Sequence, residues 1–415
     1  MDSISSNPTL NAARKARQAS RKLALASAKI RRQSVQILAR AIQDNFNDIL
    51  ESNTLDLEMS REMAVSEMTA DWLKLTPERL EATVSILNQL AKTTDPTKRL
   101  VNAPYQIEPG QTYSQLKPLG TIALIYESFP ELAAIATGMC IKTGNSLILR
   151  GCSTASNTNQ AICQTIKTAL GDTNLPSGSV EIISPDIGSS IQDLVVQDRE
   201  LDLIIPYGRP SLVQQIAEQA TAPVLRTAIG NCYLYWSASG NLELIRRMIV
   251  SSHVGMPDAV NAIEKILIQD NIKPSYLTSL FSHLQEQGFE LRGEGDLVKE
   301  FTEYLKPLNP SEWARPYMKK TVAFRCVNDL SEAIGWINRY SSGHADCLVT
   351  ESYQESRQFA RNVDSALIYI NASPRFERNP NGGEAVFLGM SNQKGYRQGL
   401  IGLETFTTVK QVVQG

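Results

Sequence analysis

The sequence predicts an α/β protein with parallel sheets covered by helices on both faces, arranged as two interleaved α/β domains behind a helical amino terminus. Two observations support this fold class. Residues 120–126 are almost continuously apolar, as in a strand that is buried on both faces. Strand-like and helix-like segments then alternate, which is typical of right-handed βαβ units. At roughly 100–200 residues per domain, the 415 residues suffice for two or three domains.

The amino-terminal region is predicted to be helical. Over residues 11–53, apolar side chains recur at three- and four-residue spacing, which indicates two helices joined by a turn. A second helical stretch is predicted over 69–92, with Pro77 as a start signal. The basic residues within 14–22 form either a solvated helix face or a partner-binding patch.

The segments that follow alternate between the two-residue spacing of strands and the three- to four-residue spacing of helices. Residues 105–119 have the turn-rich texture of short strands. The first α/β run has predicted strands at 120–126, 146–150, 180–184 and 201–205, and predicted helices at 131–142, 156–170, 191–197 and 211–219. The second has predicted strands at 232–235, 265–269, 321–327, 348–350 and 366–370, and predicted helices at 243–254, 276–287, 330–340 and 353–362. Coil over 371–393 leads into a final strand-like segment, 403–413.

Composition and charge argue against several classes of protein. With 41 Lys+Arg against 43 Asp+Glu and no local basic patch, we expect neither nucleic acid nor a membrane surface as partner. No stretch approaches the ~18 apolar residues of a membrane span. The amino terminus lacks the apolar core of a secretory signal peptide. Because it is basic and poor in acidic residues, a transit peptide is an alternative to a helical start of the fold. Six cysteines without CxxC spacing indicate a reducing, cytoplasmic setting, and three histidines argue against a His-rich metal site.

Six segments resemble one known family. They read PLGTIALIYE at 118–127, IKTGNSLILRG at 141–151, LDLIIPYG at 201–208, NRYSSGH at 338–344, VDSALIYINAS at 363–373 and GLETFTT at 402–408. In this order they are similar to the γ-glutamyl phosphate reductases, also called glutamate-5-semialdehyde dehydrogenases, a branch of the aldehyde dehydrogenase superfamily.

The resemblance implies an aldehyde dehydrogenase-like fold in three parts. A Rossmann-like cofactor domain would comprise 1–104 and 120–231, a catalytic-type domain 232–393, and a small β oligomerisation flap 105–119 and 394–415. Members of the family reduce γ-glutamyl phosphate with NADPH in proline biosynthesis. The flap implies a homo-oligomer of two or more chains, and an assembly with an active paralogue or another protein is a further possibility by analogy.

The family's nucleophilic cysteine is replaced. Its loop, R-P-S-V-C-N-A-A-E-T, aligns without a gap to 256–265, where Pro257, Asn261, Ala262 and Glu264 fix the register. The cysteine position holds Val260, directly before Asn261. Valine has no lone pair and forms no acyl-enzyme, so we expect the thiol-based reaction to be lost.

Two further positions depart from the family. Its Y-E-A-R-P-N reads YESFPE at 126–131, so Glu131 replaces an asparagine that donates to the developing oxyanion, and we expect this carboxylate to repel that oxyanion. Phe129 replaces an arginine suited to an anionic substrate. Because three parts of the site change together, we favour natural loss of the reaction over one engineered trapping substitution.

The cofactor positions are only partly kept. The family's P-R-G-G turn reads PYGR at 206–209, so Gly208 remains while Arg209 replaces a glycine. Arg209 either binds a phosphate or fills the groove. Lys142 and Arg150 stand where the superfamily contacts the adenosine-phosphate half, with a surface cation at a strand end as the less favoured alternative for Arg150. NADPH binding is therefore possible, through these four residues.

The six cysteines of the sequence are weak candidates for a nucleophile that has moved to another position. Cys152 is expected to be exposed near the cofactor, and Cys232 to be structural. The remaining cysteines, Cys140, Cys163, Cys326 and Cys347, are expected to be small buried side chains.

Three functional hypotheses follow. The first is a pseudoenzyme that uses the dehydrogenase architecture for binding, assembly or regulation. The second is an active NADPH-dependent glutamate-5-semialdehyde dehydrogenase, or an altered reductase with a different residue, for which Tyr207 or Glu131 could serve as proton donor. The third is a sensor whose groove binds another ligand.

Overall fold

A computed structural model describes residues 7–102, 105–107, 110–185, 191–255, 259–394 and 398–415, with Asn102 and Asn381 by their backbones alone. Contacts divide the chain into two compact units. The first contains the chain up to Thr227 with Arg378–Leu388 and Ile401–Gly415, and the second contains Ala228–Glu377 and Gly389–Leu400. This division has two units where three parts are predicted, since most of the predicted flap falls in the first unit. Residues 378–388, predicted in the catalytic-type domain, also belong to the first unit, where the Leu388 N–H donates to the Ile401 carbonyl (2.8 Å), and in the second unit the Ala228 N–H donates to the Met390 carbonyl (3.1 Å).

The amino-terminal helices are more finely divided than the sequence predicts. The region predicted as two helices contains α1 (Pro8–Leu23), α2 (Ala28–Asp44) and α3 (Phe46–Glu62). The additional break lies at Asn45, whose side chain donates to the Ala41 carbonyl at 2.8 Å. The stretch predicted over 69–92 is α4 (Glu67–Leu73) and α5 (Pro77–Lys92), because the Thr76 hydroxyl accepts from the Arg79 N–H and caps a new helix.

An antiparallel sheet joins two distant parts of the first unit. It consists of β1 (Leu100–Asn102), β2 (Gln111–Pro118) and β16 (Thr407–Gln414), with β2 in the middle. Strand β16 pairs with β2 along its whole length. Among the described residues no strand pairs with the other side of β16, so β16 is an edge strand of this sheet.

The first unit also contains a parallel sheet in the order β5-β4-β3-β6. Its strands β3, β4 and β6 are buried at every residue, as their continuous apolar runs predict. Because the strands are parallel, their carboxyl ends lie on one side, called the carboxyl edge below. The elements are β3 (Thr121–Tyr126), α6 (Leu132–Thr143), β4 (Ser146–Arg150), α7 (Ser156–Gly171), β5 (Val180–Ile182), α8 (Ile191–Val195), β6 (Leu203–Tyr207) and α9 (Pro210–Gln219).

The second unit is built on a parallel sheet in the order β10-β9-β11-β8-β7-β12-β13. Its elements are β7 (Cys232–Trp236), α10 (Leu242–Ser252), β8 (Ile263–Gln269), α11 (Pro274–Glu286), β9 (Glu290–Gly293), α12 (Gly295–Glu300), β10 (Lys306–Pro307), β11 (Thr321–Val327), α13 (Leu330–Tyr340), β12 (Ala345–Val349), α14 (Tyr353–Asn362) and β13 (Leu367–Ile370). A short pair, β14 (Met390–Ser391) and β15 (Gly399–Leu400), follows.

The side chains of β7 alternate between the two faces of this second sheet. Leu234 and Trp236 belong to one hydrophobic cluster, and Tyr233 and Tyr235 to the cluster on the opposite face. The central strands are thus buried on both sides. Among the described residues, no helix combines the length and the apolar character that crossing a membrane requires.

Candidate active site and cofactor edge

Val260 lies in a fixed segment of the second unit. Its side chain is completely buried, and its carbonyl accepts hydrogen bonds from the Gly230 N–H and from Nε2 of His344, both at 2.9 Å. Pro257 and Asp258, which precede it, lie outside the described residues. Position 260 therefore holds a buried hydrocarbon side chain, and hydrogen bonds from two segments fix its carbonyl.

Two neighbours of Val260 organise the backbone around it. Asn261 is buried, and its side chain donates to the Pro374 carbonyl at 2.8 Å. The Glu264 carboxylate, also buried, accepts from the N–H groups of residues 231, 317 and 318 at 2.7–3.0 Å and lies 3.7 Å from the Lys265 ammonium. Both residues hold loops in place, and burial raises the pKa of Glu264.

Cys232 lies near Val260 but is not activated. Its sulfur is 3.4 Å from Nε2 of His344, and Nε2 is also 2.9 Å from the Val260 carbonyl, which can only accept. Nε2 therefore carries a proton and cannot take one from the thiol. Burial raises the pKa of Cys232 well above its ordinary value and lowers that of His344 to about 4. This pair is a neutral packing contact, not a nucleophile with its base.

Phe129, in the first unit, packs into the core. Its ring is completely buried, 4.7 Å from the ring of Trp72 and 5.3 Å from the ring of Tyr207, which it meets edge-on. The position where the family has an arginine thus contributes to an aromatic cluster. Tyr207 is itself buried in this cluster.

Glu131 has a partner that the sequence did not reveal. Its Oε2 accepts from the Arg79 guanidinium at 2.7 Å, and both side chains are nearly inaccessible, with exposures of 4% and 5%. Arg79 also donates to the carbonyls of Trp72 and Lys74. The expectation of an uncompensated anion is therefore modified, because the carboxylate is neutralised from α5 within the same unit. No spacing rule connects positions 79 and 131.

The turn after β6 is closed by an ion pair. Gly208 adopts φ +152°, and a Cβ at this position would lie 2.8 Å from Cβ of Glu127. Arg209 donates through Nη2 to Oε1 of Glu127 at 2.6 Å and through Nε to both carboxylate oxygens at 3.0–3.1 Å. Arg209 thus forms an ion pair with Glu127, and phosphate binding or filling of the groove stay predictions for this residue.

A cavity of about 360 Å³ opens at the carboxyl edge, between α7 and the ends of β3, β4 and β5. Tyr126, Gly151, Asn159 and Lys167 are among its lining residues. The Tyr126 hydroxyl donates to Oδ1 of Asn159 at 2.9 Å. The cavity is large enough for the nucleoside part of a dinucleotide, whereas the turn after β6 does not fit a pyrophosphate, because a carboxylate and a guanidinium occupy it.

The remaining cofactor candidates are not all brought together. Arg150 ends β4 at the carboxyl edge, is 9% exposed and donates to the Gly151 carbonyl. Lys142 lies before β4, at the opposite edge of the same sheet, where its ammonium donates to the Ala91 carbonyl at 3.2 Å. The structure thus groups Arg150, Gly208 and Arg209 at one edge and leaves Lys142 away from them. Among the described residues, no cluster of His, Cys, Asp and Glu is suited to a metal ion.

The six cysteines divide by exposure. Cys152 is partly exposed at the carboxyl edge, and its sulfur accepts from the Ser128 N–H at 3.4 Å. Cys326 is exposed, so the expectation that it is buried was wrong: its side chain falls on an outward-facing position of β11. The others, Cys140, Cys163, Cys232 and Cys347, are buried.

Thiol labelling is expected to follow this division. In the native protein, a maleimide should modify Cys152 and Cys326, and the four buried thiols should react only after denaturation. Cys326 should react slowly for an exposed thiol, because partial desolvation of its sulfur and the nearby Asp270 and Glu300 carboxylates raise its pKa to about 11, and the thiolate is the reactive form. Peptide mass spectrometry measures each site, with the denatured protein as control. Native labelling of Cys232 would contradict the geometry.

Comparisons with known proteins agree on one family. The model of the aldehyde dehydrogenase family matches residues 3–288. γ-Glutamyl phosphate reductase 2 of Synechocystis sp. is 54% identical over 385 residues, which are 93% of this chain and 92% of that protein. γ-Glutamyl phosphate reductase of Gloeobacter violaceus is 36% identical over 403 residues, 97% of this chain and 96% of that one.

Solved structures give the same result for the fold. The crystal structure of γ-glutamyl phosphate reductase from Thermotoga maritima matches with a TM-score of 0.89 and 31% identity, covering 99% of both chains. Betaine aldehyde dehydrogenase of Staphylococcus aureus, solved in complex with NAD+, matches with a TM-score of 0.66 and 15% identity over 98% of this chain and 87% of that one. The predicted aldehyde dehydrogenase-like α/β fold is confirmed.

Proposed function

Because this chain belongs to the aldehyde dehydrogenase family and, within it, to the γ-glutamyl phosphate reductases of proline biosynthesis, we propose that it retains their architecture without the thiol-dependent reduction. It then acts in binding, assembly or regulation. The observation that carries this proposal is Val260: it aligns without a gap to the nucleophile and is completely buried.

The family's chemistry depends on a sulfur at this position. A thiolate attacks the acyl carbon of γ-glutamyl phosphate, the carbon–oxygen bond to phosphate breaks, and a thioester remains. NADPH, when bound, supplies the hydride that reduces this thioester. Loss of a covalent nucleophile costs on the order of 10⁴–10⁶ in rate, or about 5–8 kcal/mol of barrier. Asn261 and Glu264 of the 259–265 segment do not replace it, since both side chains are bonded to backbone groups.

The two other altered positions support the proposal independently. Phe129 has become part of an aromatic cluster, and Glu131 is paired with Arg79. Neither offers an exposed donor to an oxyanion or to an anionic substrate. Each side chain is bound into the interior of the first unit, so restoring a sulfur alone would not restore the remainder of the site.

Assembly is the role for which the fold offers a surface. Strand β16 lies at the edge of the antiparallel sheet, and Val409 and Val413 on it are 48% and 49% exposed. We propose a homo-oligomer formed through this sheet, with an active relative as a possible second partner. The competing hypothesis of an active or altered reductase rests on the partly exposed Cys152 and on the names of the relatives.

Turnover distinguishes these hypotheses. The purified protein is assayed for NADP+- and phosphate-dependent oxidation of glutamate-5-semialdehyde, by following NADPH absorbance, with the Thermotoga maritima relative as positive control. We expect a rate at least about 10⁴-fold below that control. Val260→Cys should remain at the same background as its matched control, Val260→Ala, because Phe129 and Glu131 are unchanged. Wild-type turnover within about a hundredfold of the relative would overturn the proposal.

A further inference from the structure

The turn after β6 is the place where a sheet of this type presents backbone donors to a phosphate. In parallel α/β sheets, the strand-to-helix turn and the first N–H groups of the following helix form the anion site. Here that turn comprises Gly208 and Arg209, and α9 begins at Pro210. The number of donors that remain at this turn determines whether a pyrophosphate can bind.

Several of the N–H donors at this turn are missing or already bonded within the chain. Pro210 has no N–H, and the Arg209 N–H donates to Oε2 of Glu127 at 3.2 Å. The N–H groups of Leu212 and Val213 donate to the Arg209 carbonyl at 3.0 and 3.2 Å. A carboxylate of the chain itself therefore occupies the place where a phosphate oxygen would accept.

Arg209 holds this carboxylate in place. Its guanidinium contacts both oxygens of Glu127, whose side chain is only 14% exposed, while that of Arg209 is 50% exposed. Such bidentate pairs are geometrically specific. Glu127 also occurs in the family's Y-E-A-R-P-N, so the residue that distinguishes this chain is Arg209, which replaces a glycine.

At the carboxyl edge, the amino terminus of a second helix, α7, is also bonded to a carboxylate of the chain. The first N–H groups of α7, those of Asn157 and Thr158, donate to the buried carboxylate of Asp56 at 3.1 and 2.7 Å. The acceptor that an anionic ligand would offer is again supplied from within the chain. Together with Glu127 at α9, this places carboxylates of the chain at two helix termini of this edge.

We propose that the Glu127 carboxylate, held by Arg209, occupies the phosphate position of this turn and excludes a nicotinamide dinucleotide, so that Arg209 determines the loss of cofactor binding. This goes beyond the loss of thiol chemistry, because a protein without the nucleophile can still bind NADPH. Binding and turnover are measured separately, so each proposal can fail without the other.

The test is a titration of the full chain with NADPH, followed by cofactor fluorescence and by melting temperature. Wild type should show no saturable binding and no rise in melting temperature. Arg209→Gly, which removes the guanidinium, should bind saturably, with a Kd at least about tenfold below the highest NADPH concentration at which wild type shows no binding. Glu127→Gln, which removes the internal anion, should also gain binding, and it keeps the test valid if Arg209→Gly does not fold.

The matched control is Arg199→Gly. Arg199 is an exposed arginine in the turn before β6, at the opposite edge of the sheet, and its replacement should leave the titration as in wild type. Saturable binding of NADPH by the wild type that weakens in Arg209→Gly would overturn the proposal, since Arg209 would then be a phosphate ligand. Folded variants that both fail to bind would overturn it equally.

Discussion

Replacing Glu131 by asparagine, the residue that the family has at this position, is expected to lower the free energy of unfolding by about 3–5 kcal/mol. The substitution removes the carboxylate that pairs with Arg79 at 2.7 Å, the one counter-ion of this guanidinium among the described residues, and leaves the guanidinium buried at 5% exposure. The cost of breaking a buried pair arises chiefly from this uncompensated charge. Urea denaturation monitored by circular dichroism measures the change.

The partner substitution provides the control. In the double variant Glu131→Asn, Arg79→Met no buried charge remains, so its loss of stability should be smaller than the sum of the two single losses. Glu243→Asn removes the carboxylate of a pair in which Glu243 is 73% exposed, and it should change stability by less than about 0.5 kcal/mol. If Glu131→Asn is as mild as Glu243→Asn, the carboxylate is not paired in the way described.

This expected cost has a consequence for the site. Glu131 is coupled to Arg79, and Phe129 is packed between Trp72 and Tyr207. Returning either position to the family residue would leave a buried partner unsatisfied or place a charge among aromatic rings. Both positions thus have structural roles in the first unit, and we expect a substitution by the family residue at either one to carry a cost in stability.

The sequence predicts the buried strands well and the short ones poorly. Strands β3, β4 and β6 appear as apolar runs because both faces are buried, whereas β9, with partial burial at alternate positions, is too short and too polar for such a signal. The segment from β9 to β10 was therefore missed. The break at Asn45 was missed because the apolar spacing continues across it.

Within the candidate site, the sequence identifies positions but not their partners. Alignment to the family motif locates Val260, Phe129, Glu131 and Arg209 by register alone. The ion pairs of Glu131 with Arg79 and of Arg209 with Glu127 join residues 52 and 82 positions apart, and only the folded chain brings them together. The physical meaning of each substitution therefore became visible only with its contacts.

Acidification is expected to destabilise the second unit through His344, and the effect should disappear in His344→Gln. This histidine is completely buried, and burial lowers its pKa to about 4, against about 6.5 in the unfolded chain. The unfolded state therefore binds the proton more readily. The stabilisation is complete above pH 6.5 and is lost as the pH falls towards 4, which amounts to about 3 kcal/mol for this one group.

The comparison of two pH profiles isolates this contribution. Asp346, whose pKa burial raises to about 7, acts with the opposite sign, since its contribution to stability is lost as the pH rises towards 7, and it is present in both proteins. Glutamine can keep a hydrogen bond to the Val260 carbonyl, so His344→Gln should resemble wild type near pH 7 apart from a constant offset. His283→Gln, on α11, controls for the loss of a histidine elsewhere.

Urea midpoints between pH 7 and 4 should fall more steeply in wild type than in His344→Gln. Parallel profiles would show that the imidazole is already protonated, or accessible, in the folded protein.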